Sequence, residues 1–288
     1  MAEAVGVVGG GIMGAGIAEV AARRGCDVLV LEVSEQAAAA GRGRVAASVA
    51  RAVSGGKLTA PDGDAALGRL RFTTTYDDLA DRDVVIEAIV EDEAEKITVF
   101  HALGKAVRPD CLLASNTSSI PIMKLAAAAE GPERVIGMHF FNPVPVLALV
   151  ELIPSLLTAP ETVERARAFA DRLGKRTVLS ADRAGFVVNA LLVPYLLAAI
   201  RMVESGFASA EDVDAAMVAG CAHPMGPLAL ADLIGLDTTA AVAASMYAEF
   251  KEPLYAAPPL LLRMVEAGLL GRKTGRGFYD YRDRNAVT

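Results

Sequence analysis

The residues best suited to chemistry stand in short polar segments that each follow an apolar, strand-like run. His139 lies in Met138-His139-Phe140-Phe141-Asn142-Pro143, at the end of such a run. An imidazole exchanges protons near neutral pH, so it can accept the proton of an alcohol while a hydride leaves the adjacent carbon. Of the other two histidines, we expect His101 on a solvated helix face and His223 in a structural turn. His139 is therefore the predicted general base or acid.

A carboxylate is expected beside this imidazole. Asn142-Pro143-Val144-Pro145 should reverse the chain, so that the run Val146–Ile153 returns beside the strand of His139. Glu151 lies on that run and could face the ring. A carboxylate paired with one ring nitrogen fixes the tautomer and stabilises the imidazolium, and it leaves the other nitrogen for the substrate. On the pattern alone, a buried structural pair is the competing interpretation.

The start of the chain carries a pattern for a nucleotide cofactor. Gly9-Gly10-Gly11-Ile12-Met13-Gly14 fits G-x-G-x-x-G, follows the apolar run Ala4–Val8 and precedes a helical stretch. These glycines permit a tight turn and let backbone amides approach a pyrophosphate at a helix N-terminus. Glu32 follows the second apolar run, where a carboxylate accepts hydrogen bonds from the adenosine ribose and repels a 2′-phosphate. The pattern predicts NAD rather than NADP.

These candidate sites need a scaffold that gathers the ends of several strands. Strand-like runs alternate with helical stretches in the first two thirds of the chain, which indicates an α/β fold with a Rossmann-type, doubly wound, mostly parallel sheet. Such sheets bind ligands beyond the carboxyl ends of their strands. The predicted strands are Ala4–Val8, Asp27–Glu32, Asp83–Ala88, Cys111–Ser115, Arg134–Phe140, Val146–Ile153 and Arg176–Leu179.

The last third of the chain lacks strand signals and predicts a second, smaller, all-helical domain. We place the boundary so that residues 1–183 form an NAD-binding Rossmann-like domain and residues 184–288 a helical substrate and dimerisation domain. Gly55-Gly56 and Pro61-Asp62-Gly63 are expected to interrupt the first domain. The predicted helices of the second domain are Gly185–Glu204, Ala210–Ala219, Ala229–Phe250 and Pro259–Ala267.

Composition restricts the class of protein. Hydrophobic residues make up 53% of the chain and charged residues 22%, which excludes a disordered chain. A formal net charge of −7 argues against non-specific binding to nucleic acid or to an anionic membrane. The three cysteines are scattered and form no C-x-x-C pair, so we expect no disulfide framework, no metal and a reducing, cytoplasmic location. No secretory signal or membrane span is predicted.

Eight segments, in order along almost the whole chain, resemble the 3-hydroxyacyl-CoA dehydrogenase family, and most closely its monofunctional 3-hydroxybutyryl-CoA dehydrogenases. Single motifs of this kind occur by chance, but eight in register are specific. The segments are Gly9–Gly14, Glu87-Ala88-Ile89-Val90-Glu91, Ser115–Ser119, Met138–Pro145, Val150-Glu151-Leu152, Gly185-Phe186-Val187-Val188-Asn189, His223–Pro227 and Gly271–Tyr279.

The resemblance implies a reaction and a set of catalytic residues. The reaction is the NAD-dependent interconversion of (S)-3-hydroxyacyl-CoA and 3-oxoacyl-CoA, with a short acyl chain as in 3-hydroxybutyryl-CoA and acetoacetyl-CoA. His139 is then the general base or acid, and Glu151 is its partner. Ser118 binds the substrate oxygen, and Asn189, on the first helix of the second domain, holds the substrate.

The resemblance also implies ligand contacts and an assembly. Arg51 and Lys57 resemble basic contacts to the CoA phosphates, although ordinary surface charge is an alternative for both. A homodimer through the helical domain is implied as well. Glu32 departs from the family, in which aspartate is commoner, but its longer side chain should still reach the ribose. Besides the glycine motif and Glu32, the implied cofactor contacts are Ala88, Ile89, Glu91, Lys96, Asn116, Asn142 and Lys273.

Other functions remain open at this point. The same chemistry could act on a carrier-protein thioester or on a free sugar acid. A 6-phosphogluconate-like dehydrogenase shares the glycine motif, but it uses a lysine in the region where Asn189 stands here. A non-enzymatic binding protein would be expected to lack His139 or Glu151, and both are present.

Overall fold

The computed structural model describes residues 3–282, and the chain divides into two compact units between residues 183 and 184. An eight-stranded sheet in the order β3-β2-β1-β4-β5-β6-β7-β8 forms the centre of the first unit. All neighbouring strands are parallel except the antiparallel pair β6 and β7. This confirms the predicted Rossmann-type sheet. The strands are β1 (Ala4–Val8), β2 (Asp27–Leu31), β3 (Leu70–Thr73), β4 (Val84–Glu87), β5 (Leu112–Ser115), β6 (Val135–Phe140), β7 (Leu149–Pro154) and β8 (Arg176–Leu179).

Six helices accompany this sheet, and some begin with a side-chain cap whereas others do not. Ser34 and Asp92 cap two of them, because each side chain accepts a hydrogen bond from a backbone N–H three residues later. The first helix begins after Gly11 without a side-chain cap and has no acidic residue in its first turn. Its N-terminus therefore suits an anion. The helices are α1 (Ile12–Arg23), α2 (Glu35–Ser54), α3 (Ala60–Leu67), α4 (Glu93–Ala106), α5 (Ile122–Ala128) and α6 (Pro160–Arg172).

The expected interruption at Pro61-Asp62-Gly63 is wrong, because these residues lie inside α3. Pro61 occupies the first turn of the helix, where its missing N–H costs nothing. The Thr59 side chain accepts the N–H of Asp62 and so caps the helix. The helix leads into β3, which the sequence did not predict because the strand is short and only half buried.

The second unit is helical, and one predicted helix is in fact two. The run predicted as Ala229–Phe250 breaks at Gly235, whose φ of +104° only glycine adopts easily. The two helices on either side of the break are bent by 94°. Within residues 3–282 no single helix is long and apolar enough to cross a membrane. The bent pair α9 and α10 together has the length and the apolar composition of a membrane span. The helices are α7 (Val188–Glu204), α8 (Ala210–Cys221), α9 (Pro227–Ile234), α10 (Leu236–Phe250) and α11 (Pro259–Glu266).

Buried aspartates fix the loops of the second unit. Asp214 accepts the N–H groups of Leu228 and Ala229 at the start of α9, at 2.7 and 2.9 Å. Asp232 is 1% exposed and accepts the N–H groups of Phe278 and Tyr279, both at 3.0 Å. Each carboxylate therefore ties a helix to a segment distant in sequence.

Candidate active site

The antiparallel pair β6–β7 brings His139 and Glu151 together. The two residues are direct partners across the ladder, so their side chains lie on the same face of the sheet. The His139 Nδ1 and Glu151 Oε2 atoms are 2.7 Å apart. Glu151 is fully buried and His139 is 7% exposed. The carboxylate thus holds Nδ1 and fixes the orientation of the ring.

Neighbouring residues hold the strand end that carries His139. The Phe141 ring packs against the imidazole with their centroids 4.5 Å apart. The side-chain oxygen of Asn116, just after β5, accepts the N–H of Phe140 at 2.9 Å. Asn116 itself donates its backbone N–H to the carbonyl oxygen of Glu87 at 2.8 Å. The ends of β4, β5 and β6 are therefore joined beside the imidazole.

The glycine motif forms the turn between β1 and α1, and its glycines serve different needs. Gly9 has a φ of +96°, and a Cβ atom there would lie 2.8 Å from the carbonyl oxygen of Ala88. A Cβ on Gly14 would lie 1.8 Å from the carbonyl oxygen of Gly9. A Cβ on Gly11, by contrast, would meet nothing within 4 Å. The protein itself needs the outer two glycines, whereas Gly11 leaves open space that a phosphate group fits.

Glu32 follows β2 and reaches the same turn. Its Oε1 atom accepts the N–H of Gly10 at 2.6 Å, and its Oε2 atom accepts the N–H of Val33 at 3.2 Å. Arg44 donates to the carbonyl oxygen of Gly10 at 3.0 Å. The carboxylate is therefore held against the glycine turn, where the sequence predicted contact with an adenosine ribose.

A buried ion pair joins the end of β4 to helix α4. The Lys96 ammonium is 2.5 Å from Glu87 Oε1 and 3.4 Å from Glu91 Oε2. The other oxygen of Glu87 accepts the Ser115 hydroxyl at 2.6 Å. Lys96 is 1% exposed and Glu87 is fully buried. The ammonium predicted to line the cofactor groove is thus directed at two carboxylates.

Glu91 organises the polar segment that follows β5. Its Oε1 atom accepts the N–H of Ser118 at 2.8 Å, the N–H of Ser119 at 3.1 Å and the Thr117 hydroxyl at 2.5 Å. The Ser118 hydroxyl lies 3.3 Å from the same oxygen. Burial favours a raised pKa, but Lys96 and these hydrogen bonds outweigh it and hold the pKa of Glu91 below its usual value. Glu91 is thus a charged acceptor that orients Ser118.

Three more of the predicted residues are exposed in the first unit. Asn142 is exposed in the β6–β7 loop, next to a cis peptide bond with Pro143. Arg51, on α2, and Lys57, in the turn after it, are exposed. Two predicted contacts belong to the second unit, where Asn189 is the second residue of α7 and the Lys273 ammonium lies 2.6 Å from Asp237.

Sequence reasoning gave no role to Glu87 or Thr117. Glu87 is the last residue of a strand whose other members are apolar and buried, and that position could have drawn attention to it. Nothing in the sequence pairs it with Lys96, because the contact depends on how α4 packs. Thr117 accepts the N–H of Ile120 at 2.9 Å and so also shapes the turn that carries Ser118.

In comparisons with known proteins, both units match the same protein family. Residues 4–183 match the model of the 3-hydroxyacyl-CoA dehydrogenase NAD binding domain, and residues 185–281 match that of the 3-hydroxyacyl-CoA dehydrogenase C-terminal domain. The chain is 62% identical to a 3-hydroxybutyryl-CoA dehydrogenase of Mycobacterium tuberculosis, over 97% of this chain and 98% of the relative.

Solved structures give the same result. The crystal structure of M. tuberculosis FadB2 has a TM-score of 0.95 and 62% identity, and the match covers 96% of this chain and 98% of that one. The (S)-3-hydroxybutyryl-CoA dehydrogenase PaaH1 from Ralstonia eutropha has a TM-score of 0.93 and 46% identity, with coverage of 98% and 99%.

Proposed function

The chain belongs to the 3-hydroxyacyl-CoA dehydrogenase family, and we propose that it interconverts (S)-3-hydroxybutyryl-CoA and acetoacetyl-CoA. The observation that carries this proposal is the His139–Glu151 pair, a buried imidazole and carboxylate 2.7 Å apart at the end of the sheet where ligands bind. High identity to 3-hydroxybutyryl-CoA dehydrogenases supports the short acyl chain.

The cofactor is NAD, which when bound accepts the hydride from C3 of the substrate. The open space at Gly11 and the uncapped N-terminus of α1 fit its pyrophosphate. Glu32 is the proposed acceptor for the adenosine ribose hydroxyls. The nicotinamide half is assigned to residues at the next strand ends, with Lys273 as a further contact. These residues are Ala88, Ile89, Glu91, Asn116 and Asn142, and Ile12 and Met13 at the start of α1 are assigned to the cofactor as well.

His139 moves the proton in this proposal. Glu151 holds Nδ1, so Nε2 is the nitrogen assigned to exchange the proton with the 3-hydroxyl oxygen. When the ring becomes an imidazolium during oxidation, the buried carboxylate stabilises the new charge. In reduction the same ring returns the proton to the oxygen.

Ser118 orients the substrate oxygen, and two charged residues position Ser118. Glu91 holds the backbone and hydroxyl of Ser118, and Lys96 holds Glu91 from the buried side. We assign Lys96 to positioning through Glu91, because its ammonium is bound to two carboxylates. Asn189 is proposed to hold the substrate, and Arg51 and Lys57 to contact the CoA phosphates.

The test is a panel of thioesters assayed with the purified protein. Acetoacetyl-CoA, longer 3-oxoacyl-CoA and dicarboxylic thioesters, and acetoacetyl-acyl carrier protein are reduced with NADH and with NADPH. The proposal expects the highest kcat/KM for acetoacetyl-CoA with NADH. A higher kcat/KM for the carrier-protein thioester would reject CoA as the natural carrier, and no turnover of any thioester would reject the function.

The assembly and the location are part of the same proposal. The helical unit exposes large apolar side chains, among them Leu191, Phe207 and Leu233, which supports a homodimer through this unit. The thiols of Cys26, Cys111 and Cys221 are unpaired, which supports a reducing compartment such as the cytoplasm. Light scattering of the eluted protein, with Phe207→Asp as the variant, tests the dimer.

A further inference from the structure

The turn that joins β1 to α1 consists of glycines, so no side chain of its own holds its backbone. Glycine adopts more backbone conformations than other residues, and it loses the most freedom when one conformation is fixed. Gly9, Gly10 and Gly11 must nevertheless keep one conformation, because the proposed pyrophosphate site depends on backbone N–H groups. Contacts from outside the turn are therefore needed to hold its peptide planes.

Glu32 and Arg44 hold Gly10 from two sides. The Glu32 carboxylate accepts the Gly10 N–H at 2.6 Å, and the Arg44 guanidinium donates to the Gly10 carbonyl oxygen at 3.0 Å. The first bond fixes the peptide between Gly9 and Gly10, and the second fixes the peptide between Gly10 and Gly11. Glu32 follows β2, whereas Arg44 belongs to α2. Charged side chains from two separate elements thus fix two consecutive peptide planes of the glycine turn.

The position of Arg44 follows from how α2 packs against the turn. A Cβ atom on Gly41 would lie 3.2 Å from the carbonyl oxygen of Gly10, so the α2 backbone closely approaches this oxygen. Residues three apart lie on the same face of a helix, which places Arg44 beside Gly41. Arg42 differs, because its guanidinium lies over the Phe72 ring, 5.0 Å from the centroid. Arg44 thus reaches the Gly10 carbonyl, while its neighbour Arg42 packs on an aromatic ring.

We propose that Arg44 is a positioning residue for the cofactor, and that it acts through the peptide between Gly10 and Gly11. In a trans peptide, the C=O group and the following N–H group point in opposite directions. Because Arg44 holds the Gly10 carbonyl toward α2, the Gly11 N–H is directed away from α2. The open space at Gly11 is the proposed place of the pyrophosphate, and the inference rests on that part of the proposed function.

The advantage of this contact is that the amide is oriented before the cofactor binds. Without Arg44 the peptide can rotate in the free protein, and cofactor binding then has to fix it. Fixing the backbone of one residue should weaken binding on the order of tenfold. The guanidinium itself need not contact the phosphates in this arrangement. Loss of Arg44 should therefore weaken ligands that contain the pyrophosphate and leave unchanged those that lack it.

The test compares Arg44→Gln with Arg42→Gln. Both arginines are exposed on α2 and both substitutions remove one positive charge, so Arg42→Gln is the matched control. Adenosine and ADP-ribose are used to displace NADH in a fluorescence titration, which needs no turnover. Arg44→Gln should bind ADP-ribose on the order of tenfold more weakly than the wild type, with its affinity for adenosine unchanged. Arg42→Gln should bind both ligands like the wild type.

Salt separates positioning from attraction of the phosphates through space. The Debye length falls from about 10 Å at 0.1 M salt to about 3 Å at 1 M. If Arg44 acts on a peptide that it contacts, the ratio of wild-type to Arg44→Gln affinity for ADP-ribose should be the same at both salt concentrations. A ratio that falls to one at 1 M salt would show through-space attraction and overturn the proposal.

The remaining outcomes also decide the question. Equal affinity of the wild type and Arg44→Gln for ADP-ribose rejects the proposal, and so does equal weakening in both arginine variants. If adenosine is weakened as much as ADP-ribose, Arg44 acts at the adenosine end and the role assigned through Gly11 is wrong. If the wild type binds ADP-ribose no more tightly than adenosine, the proposed place of the pyrophosphate fails, and the inference fails with it. Circular dichroism melting confirms that each variant is folded.

Discussion

Buried carboxylates occur in both units, but their partners differ. In the first unit Glu151 faces an imidazole and Glu87 faces the Lys96 ammonium, so each carboxylate meets a side chain that can itself gain or lose a proton. In the second unit Asp232 faces two backbone N–H groups and the Tyr281 hydroxyl. The first arrangement can support proton transfer near neutral pH, whereas the second anchors the chain, because burial and Asp232 raise the pKa of Tyr281 and keep its hydroxyl protonated.

The same contrast extends to Asp214, which accepts two backbone N–H groups and the Tyr279 hydroxyl at 2.9 Å. Burial, together with the hydrogen bond to the Asp214 carboxylate and its negative charge, raises the pKa of Tyr279. Carboxylates bound in this way hold segments together whatever reaction the protein performs. Substitutions in the two units should therefore be read with different measurements, turnover in the first and unfolding in the second.

The largest effect is expected from His139→Gln. Loss of the general acid and base should lower kcat by about two to four orders of magnitude. NADH binding, measured by fluorescence titration, should remain, because the ring does not form the glycine turn. The exposed His101→Gln is the matched control and should retain turnover. Near-normal kcat in the purified His139 variant would refute its assigned role.

Glu151→Gln tests whether the partner of the imidazole matters for chemistry. The amide keeps the size of the side chain but loses the charge that stabilises the imidazolium. We expect kcat to fall about tenfold to a hundredfold, the range for a hydrogen bond to a charged group. A loss of stability with kcat unchanged would place Glu151 with the anchoring carboxylates of the second unit.

Asp232→Asn tests the anchoring side of the comparison. The amide nitrogen would face donors that the carboxylate accepted, so the free energy of unfolding should fall by about 1–3 kcal/mol. Urea unfolding followed by circular dichroism measures this change. The kcat of the folded variant should stay close to that of the wild type. A loss of kcat as large as that of Glu151→Gln would contradict the division between the units.

The pH dependence of the free energy of unfolding, compared between the wild type and Asp232→Asn, tests the same buried carboxylate. Burial raises the pKa of Asp232 above its usual value, although hydrogen bonds from Tyr279 and Phe278 oppose this shift. Because the pKa of Asp232 is raised in the folded state, the native protein binds this proton more tightly than the unfolded chain does. The stability gained from protonating Asp232 is present at low pH and is lost as pH rises through the folded-state pKa. The stability of the wild type relative to Asp232→Asn should therefore increase as pH falls from neutrality toward 4.

Glu32→Ser should give the smallest effect. It tests whether this carboxylate contacts the cofactor or only anchors the chain. Glu32 is bound to backbone N–H groups like the aspartates of the second unit, yet it lies on the cofactor turn. The ratio of kcat/KM for NADH over NADPH should fall about tenfold, since a charged acceptor is lost and the repulsion of a 2′-phosphate disappears. An unchanged ratio would leave Glu32 as an anchor only.

Elements bounded by strong local signals could be predicted from the sequence, and others could not. The β1 and β8 strands agree with their predicted bounds because apolar or β-branched runs end at clear breaks. The β3 strand was missed because it is short and half exposed. A single glycine is tolerated in helices, so the pattern could not show that Gly235 separates α9 from α10.

The residues of the candidate site also divide into those whose contacts could be predicted from the sequence and those whose contacts could not. His139 and Glu151 could be predicted to meet, because a short reversal followed by a second strand fixes their pairing. The burial of Lys96 could not be predicted, since it depends on how α4 packs beneath β4. The hydrogen bonds from Lys175 to two carbonyl oxygens could not be predicted either, because they join segments distant in sequence.

The register of β6 and β7 has a consequence for redesign. Because His139 and Glu151 meet across paired strands, the connecting residues 141–148 do not set the distance between them. Loops transplanted from other dehydrogenases can therefore be screened for altered substrate range with the proton-transfer pair left in place. A graft needs to keep Phe141 beside the imidazole, Asn142 as the proposed cofactor contact and the two carbonyl groups that accept hydrogen bonds from Lys175, and it can otherwise differ in length and sequence.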